Sequence, residues 1–347
     1  MLTDLLSAPL PRLAARRRLG DNVPAVILAA GIGSRLRPVT ERLIKPMVPV
    51  LNVPLLYWTV AMLTSAGVTD LFANACHLAD QLRAAARCLR DRDGVALGVV
   101  PEPRPSGPAG GLIACRDALP AADSYLVTSG DAWTGLDFAD LVENHLSSGA
   151  DLTIVAKEVS DPHRFGVLEL RGQGVLGMRE KPVDPPPDAL VSCGIYVLSH
   201  RAMRMLVPPP VGPYDFKDVV PMLLASGRGV RAYRTDAHWT DVGDMGSYLG
   251  ANLHAVAGGA WAGTVGDRPS WRVGLRTQGD PALASDVQIY GSSLVGDGAR
   301  IETAAVLDHA VIGPGARVGA RALVCQAVLL PGAVVRDGEV VTRRVVW

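Results

Sequence analysis

In the last quarter of the chain one apolar side chain recurs every sixth residue. The series runs Ile289, Val295, Ile301, Leu307, then after one step of five Ile312, Val318, Val324 and Leu330. Strands repeat every second residue and helices every 3.6, so neither accounts for a period of six. A parallel β-helix does: each six-residue side turns one apolar residue into a stacked interior. Glycine follows several of these positions, as in Val295-Gly296, Ile312-Gly313 and Val318-Gly319. Residues 258–347 are therefore predicted to form a β-helix domain of under three coils. Its small size favours a structural or self-association surface over a second catalytic centre built on His309.

At 347 residues the chain exceeds what one core usually serves, so a second domain is expected before the repeats. From Val23 apolar β-branched runs alternate with helical stretches. Strands are predicted over 23–30, 70–75, 95–100, 125–129, 151–157, 166–170, 174–180, 192–198 and 230–235, with helices over 54–66, 79–89 and 245–256. This alternation predicts an α/β domain, a Rossmann-like, mostly parallel sheet over residues 23–257. Residues 1–22 form an N-terminal extension whose basic run, Arg16 to Arg18, follows its apolar start, the reverse of a signal peptide. The 34 basic and 34 acidic residues cancel. No global charge favours nucleic acid or an anionic membrane, so any anionic ligand must be held by local cations. Five dispersed cysteines without a CxxC pair argue for free thiols in a reducing cytoplasm. No run approaches the length of a membrane-spanning helix.

The densest local signal is Leu28-Ala-Ala-Gly31-Ile-Gly33-Ser34-Arg35-Leu36-Arg37-Pro38, followed by Lys45-Pro46-Met47. Glycines let backbone N–H groups approach an anion, and Arg35 and Lys45 supply the charge a triphosphate requires. A dinucleotide fingerprint would need glycine in place of Leu36, and a Walker loop would need Gly-Lys-Ser/Thr, which is absent. Two further segments end strands with aspartate: Ser129-Gly130-Asp131 and Trp239-Thr-Asp241. Hard oxygen ligands of this kind suit Mg²⁺, which takes one or two carboxylates besides phosphate oxygens and water.

The run LAAGIGSRLRPVTERLIKPMVPVLNVPLL resembles the signature of the sugar-nucleotide pyrophosphorylases, nucleotidyltransferases acting on sugar 1-phosphates, mannose-1-phosphate guanylyltransferases among them. The resemblance extends from Val23 through the tail, where it implies a left-handed β-helix. It implies that Leu28, Ala30, Gly31, Gly33 and Ser34 surround the nucleotide, that Arg35 stabilises the departing pyrophosphate, and that Lys45 lies by the α-phosphate. Asp131 and Asp241 match the family's metal ligands. Glu180-Lys181-Pro182 matches its Glu-Lys-Pro, with lysine on the sugar phosphate and glutamate on ring hydroxyls, and Gly194 lets the sugar approach the backbone. Glu102, Gly107, Ala109 and Gly110 belong to a segment resembling the loop that meets the nucleobase. A carboxylate at Glu102 could accept from guanine N1–H and N2–H₂, which favours GTP and, by extension, mannose 1-phosphate. Glucose 1-phosphate with dTTP, ATP or UTP is the alternative, and a cyclitol phosphate would offer the same charge. A non-catalytic, nucleotide-sugar-binding homologue is the rival reading, set against the retention of Arg35, Lys45, Asp131 and Lys181. The partners implied are a nucleoside triphosphate, the sugar phosphate and further copies of the chain.

Overall fold

The computed structural model describes residues 1–13, 17–20, 23–209, 212–258, 261, 263–270 and 272–347. Arg16, part of the predicted basic run, lies outside them. Two compact units emerge, and the chain passes between them more than once. Residues 15–32 and 62–241 make up one; residues 1–14, 33–61 and 242–347 make up the other.

The first unit is built on a nine-stranded sheet. Its strands are β1 (Ala25–Leu28), β2 (Leu71–Ala75), β3 (Leu97–Pro101), β4 (Ser124–Ser129), β6 (Leu152–Glu158), β7 (Gly166–Arg171), β8 (Gly174–Glu180), β9 (Leu190–Ser199) and β10 (Val230–Arg234). Two short strands, β5 (Ala132–Thr134) and β11 (Trp239–Asp241), pair apart from it. The sheet order is β3-β2-β1-β4-β9-β6-β10-β8-β7. β3, β2, β1 and β4 run parallel, as the βαβ reading expects. Beyond them β9 lies antiparallel to β4 and β6, and β8 antiparallel to β10 and β7.

The core of this unit is apolar on both faces of the parallel part. Val26, Val127, Ile154 and Phe216 are wholly buried, and Tyr196 stacks on Phe216 at 3.6 Å between ring centroids. Helices absent from the sequence reading cover it, notably Pro108–Cys115, Phe138–Ser148 and Phe216–Ala225. Their ends are coded locally. Asp137 accepts from the N–H groups of Ala139 and Asp140, and Asp215 forms a capping box with Asp218.

The second unit contains the β-helix. Its rungs stack in parallel on three faces, typified by Val295↔Ile312, Ile301↔Val318 and Leu307↔Val324. The interior side chains follow the predicted series as far as Val324. There the register departs from the sequence reading. Ile312 stacks on Leu329, not Leu330, so a second step of five occurs, and the series continues through Val335, Val341 and Val346. Two faces carry four rungs each and the third carries five in parallel, more than the under three coils expected. Fully buried alanines, among them Ala299, Ala305, Ala310, Ala316 and Ala322, fill the corners between sides, where a larger side chain would overpack the stack.

The N-terminal extension is also anchored. A helical turn, Leu2–Leu6, buries Leu5 completely, and the Tyr57 hydroxyl donates to the Leu6 carbonyl.

Candidate functional site

In the first unit β1 connects to β2 on one side of itself while β4 lies on the other. This reversal falls at β1 and β4, and open α/β sheets bind ligands beyond the carboxyl ends of the strands flanking such a reversal. Ala29-Ala30-Gly31 leaves β1 there, and Gly130-Asp131 leaves β4. The Gly130 N–H donates to the Leu28 carbonyl at 2.9 Å, tying the two loops together.

Asp131 and Asp241 are brought side by side. β5 and β11 pair antiparallel with Asp241 opposite Ala132, so Asp131 lies one residue from Asp241's cross-strand partner. Both are partly exposed. The Ser129 hydroxyl donates a very short hydrogen bond to Asp131 Oδ1 and orients that carboxylate. Among the described residues no cluster of three or more His, Cys, Asp or Glu side chains could hold a metal ion. A pair of carboxylate donors is nevertheless the set Mg²⁺ uses when phosphate and water complete its octahedron. The residues present fit that ion.

Gly194 lies where β9 carries extra residues. Its register against β6 shifts between Ser192 and Tyr196, and Gly194 has φ +69°, a conformation costly for residues with a Cβ. A Cβ there would stand 3.3 Å from Ser129 Cβ, which puts Gly194 next to the residue that orients Asp131. The irregularity also releases the Cys193 carbonyl, and Trp239 Nε1 donates to it at 3.0 Å.

Glu180 and Lys181 close β8. Lys181 Nζ is 3.2 Å from Glu180 Oε1, and the Lys181 N–H donates to the Phe165 carbonyl at 3.0 Å. Lys181 holds φ +46°, a conformation that costs a non-glycine residue about 1 kcal/mol or more and that clusters at functional sites.

Glu102 differs from its sequence reading. Expected to face a base edge, it is only 7% exposed and points inward. Oε1 accepts from Asn74 Nδ2, while Oε2 accepts from the Ser106 hydroxyl at 2.7 Å and the Ser106 N–H at 3.3 Å. Asn74 Oδ1 in turn accepts from the Ala29 N–H at 2.6 Å. A buried polar chain thus runs from the segment after β3 to the loop after β1. The neighbouring glycines fit this network. A Cβ at Gly111 would collide with the Asn74 amide and one at Gly110 with the Ser106 hydroxyl, while Gly107 has φ +84° against the Tyr214 backbone. Ala109 is buried, and its N–H donates to the Tyr214 carbonyl. Sequence reading missed Asn74 and Ser106. For Asn74 the available signal was one polar residue within an otherwise apolar strand, since buried polar groups require partners.

The second unit holds the remaining predicted residues. Gly33, at φ +69°, precedes the short helical turn Ser34–Leu36, which exposes Ser34 and Arg35. The Thr40 hydroxyl donates to the Gly33 carbonyl at 2.7 Å. Lys45 opens a second turn, Lys45–Met47, and its Cβ lies 3.5 Å from where a Gly33 Cβ would be, so the glycine and lysine are adjacent. Asp244 caps the helix Met245–Ala257 in a reciprocal pair with Ser247.

Comparison with known proteins agrees with this architecture. The model of the nucleotidyl transferase family matches residues 24–257. A glucose-1-phosphate thymidylyltransferase of Streptomyces griseus is 30% identical over 283 residues, 80% of this chain and 79% of its own. A mannose-1-phosphate guanylyltransferase of Mycobacterium tuberculosis is 30% identical over 288 residues, 80% of this chain and 76% of its own. A crystal structure from Bacillus anthracis of a proposed glucose-1-phosphate thymidylyltransferase superposes with a TM-score of 0.61 at 26% identity, covering 67% of this chain and 95% of that one. With its family match spanning the whole nine-stranded sheet, the chain belongs to the nucleotidyl transferase family.

Proposed function

We propose that the protein joins a nucleoside triphosphate to a sugar 1-phosphate, or a cyclitol phosphate of like charge, and releases pyrophosphate. The observation that carries this reading is the proximity of Asp131 and Asp241: Asp241 pairs with Ala132, the residue after Asp131, beyond the carboxyl end of β4. The reaction is an in-line attack of a phosphate oxygen on the α-phosphorus. That oxygen is already anionic at neutral pH, so no general base is required, and the protein contributes positioning and charge neutralisation.

In this mechanism the backbone at Leu28, Ala30, Gly31, Gly33 and Ser34 holds the nucleotide. Arg35 neutralises the leaving pyrophosphate, and Lys45 draws charge from the α-phosphate. Lys181 holds the attacking phosphate, Glu180 accepts from ring hydroxyls, and Gly194 leaves room for the ring. Asp131 and Asp241 would hold Mg²⁺, which when bound neutralises phosphate charge as a Lewis acid. The segment of Gly107, Ala109 and Gly110, its loop fixed by Glu102, borders the base.

The relatives' names bring two substrate pairs, GTP with mannose 1-phosphate and dTTP with glucose 1-phosphate. The inward Glu102 withdraws the carboxylate that favoured guanine, so the base is decided by assay. Five nucleoside triphosphates are to be crossed with hexose and cyclitol 1-phosphates under Mg²⁺, with products read by mass. Formation of one nucleotide-sugar, and loss of at least a hundred-fold in turnover on Asp131→Ala, is expected. No pyrophosphate from any pair would refute the proposal. Self-association through the β-helix is proposed for the last rungs, where Val340 and Trp347 are 60% and 51% exposed; sedimentation of the full chain as a monomer would refute it.

A further inference from the structure

The segment that carries Lys45 is fastened to the β-helix and its neighbouring helix by amide side chains, two of them buried. After the Lys45–Met47 turn the chain forms a tight hairpin, Pro49–Val50 against Val53–Pro54, whose two turn residues, Leu51 and Asn52, have φ +51° and +65°. Asn52 is 6% exposed. Its Nδ2 donates to the Ile312 carbonyl of the β-helix at 3.0 Å and to Gln278 Oε1 at 2.9 Å. Gln278 Nε2 returns a hydrogen bond to the Leu51 carbonyl at 3.3 Å and another to Val265 O at 3.2 Å. On the helix Met245–Ala257, Asn252 is wholly buried; its Oδ1 accepts from the Leu51 N–H at 3.0 Å, and its Nδ2 donates to the Pro49 carbonyl at 3.4 Å. Trp58 Nε1 holds the Val50 carbonyl at 3.0 Å, and its ring meets Trp261 edge-on at 5.1 Å.

Between Lys45 and this fastening every residue, Pro46 to Val50, is buried. A displacement at the hairpin tip therefore reaches Lys45 through close-packed chain, which does not absorb it. The arrangement is more than a domain needs in order to stay attached. Apolar contact alone would hold the tail, whereas three amide side chains fix the hairpin backbone atom by atom.

We propose that Asn52 is a positioning residue for Lys45, and that the β-helix, through Ile312 and Gln278, sets where that lysine stands. This rests on the reading of Lys45 as a catalytic residue. Misplacement by an ångström in such a site costs up to a hundred-fold in rate.

The test uses the full chain and Asn52→Gly, which keeps the left-handed turn and deletes the amide, with Gln278→Ala as a milder second variant and Lys45→Ala as control. Turnover falling about ten-fold in Asn52→Gly and less in Gln278→Ala, with the KM of the sugar phosphate within two-fold of wild type, is the expected result. Faster amide hydrogen exchange over residues 44–52, but not over 124–129, should accompany it. Wild-type turnover and wild-type exchange in Asn52→Gly would overturn the inference while Lys45→Ala is inactive. If Lys45→Ala itself retains most of its turnover, the catalytic reading of Lys45 fails, and the inference with it.

Discussion

Replacing Glu102 with glutamine separates the two roles this residue has been given. In the structure its carboxylate accepts from three donors, Asn74 Nδ2 on one oxygen and the hydroxyl and N–H of Ser106 on the other. An amide offers one acceptor and one NH₂, so either orientation sets a donor against a donor. The lost hydrogen bond to a charged acceptor is worth about 1.5–3 kcal/mol, and a buried donor left without a partner adds about 1–3 kcal/mol. A destabilisation of about 3 kcal/mol should lower Tm by about 4 °C in a chain of 347 residues, at about 2.1 cal/mol/K of unfolding entropy per residue. Ser106→Ala, which removes one donor and leaves the charge, should cost about 1.5–3 kcal/mol, less than Glu102→Gln because no donor is left facing a donor. The assay is thermal denaturation followed by circular dichroism, in parallel with KM for GTP, dTTP, UTP and ATP. Glu102→Gln should lower Tm and raise KM for all four nucleotides alike, because the loop after β1 loses its support. An unchanged Tm together with a selective change for one nucleotide would refute the reasoning and restore Glu102 as the residue that reads the base.

Other expectations follow from local geometry. Gly194→Ala should cost about 1–2 kcal/mol from its left-handed φ and crowd Ser129, raising KM for the sugar phosphate more than for the nucleotide in steady-state kinetics. His145 is buried against the Thr153 hydroxyl, and burial lowers its pKa from 6.5 to about 4. Between those values the unfolded chain binds the proton and the folded chain does not. Stability is therefore full above pH 6.5 and falls by about 1.4 kcal/mol per unit towards pH 4, about 3 kcal/mol in all. His145→Gln should flatten that slope in urea titrations at pH 7 and pH 5; an unchanged slope would assign acid lability to other groups. Leu307→Ala, at the centre of the β-helix interior, should cost about 2–5 kcal/mol in the same titrations.

Most strands were legible because burial writes itself into hydrophobic period. The runs at 71–75, 97–101, 124–129 and 174–180 lie within two residues of their predicted limits. Helices such as Pro108–Cys115 escaped because Gly110 and Gly111 disguise a helix as a loop, and because that helix is buried on much of its surface and shows no amphipathic alternation. In the β-helix the period was plain, yet Leu329 and Leu330 are both apolar and both buried. A one-residue slip between them could be settled only by which of the two stacks on Ile312.

The site was legible wherever chemistry dictates residue type and obscure wherever tertiary context does. Asp131 and Asp241 stand 110 positions apart, and nothing in either segment alone says that Asp241 pairs with Ala132, the neighbour of Asp131. Gly194 illustrates the same limit. Its glycine was visible, but the extra residues of β9 that require φ +69° arise from pairing with β6, a partner some forty residues distant. Glu102 is the sharpest case. A carboxylate beside a glycine-rich loop suggests a ligand contact, and only the positions of Asn74 and Ser106 reveal that both its oxygens are already engaged within the protein. Sequence supplies the inventory of charges; which of them face substrate depends on which have found partners inside the fold, because a buried charge with satisfied hydrogen bonds has little to gain from a ligand.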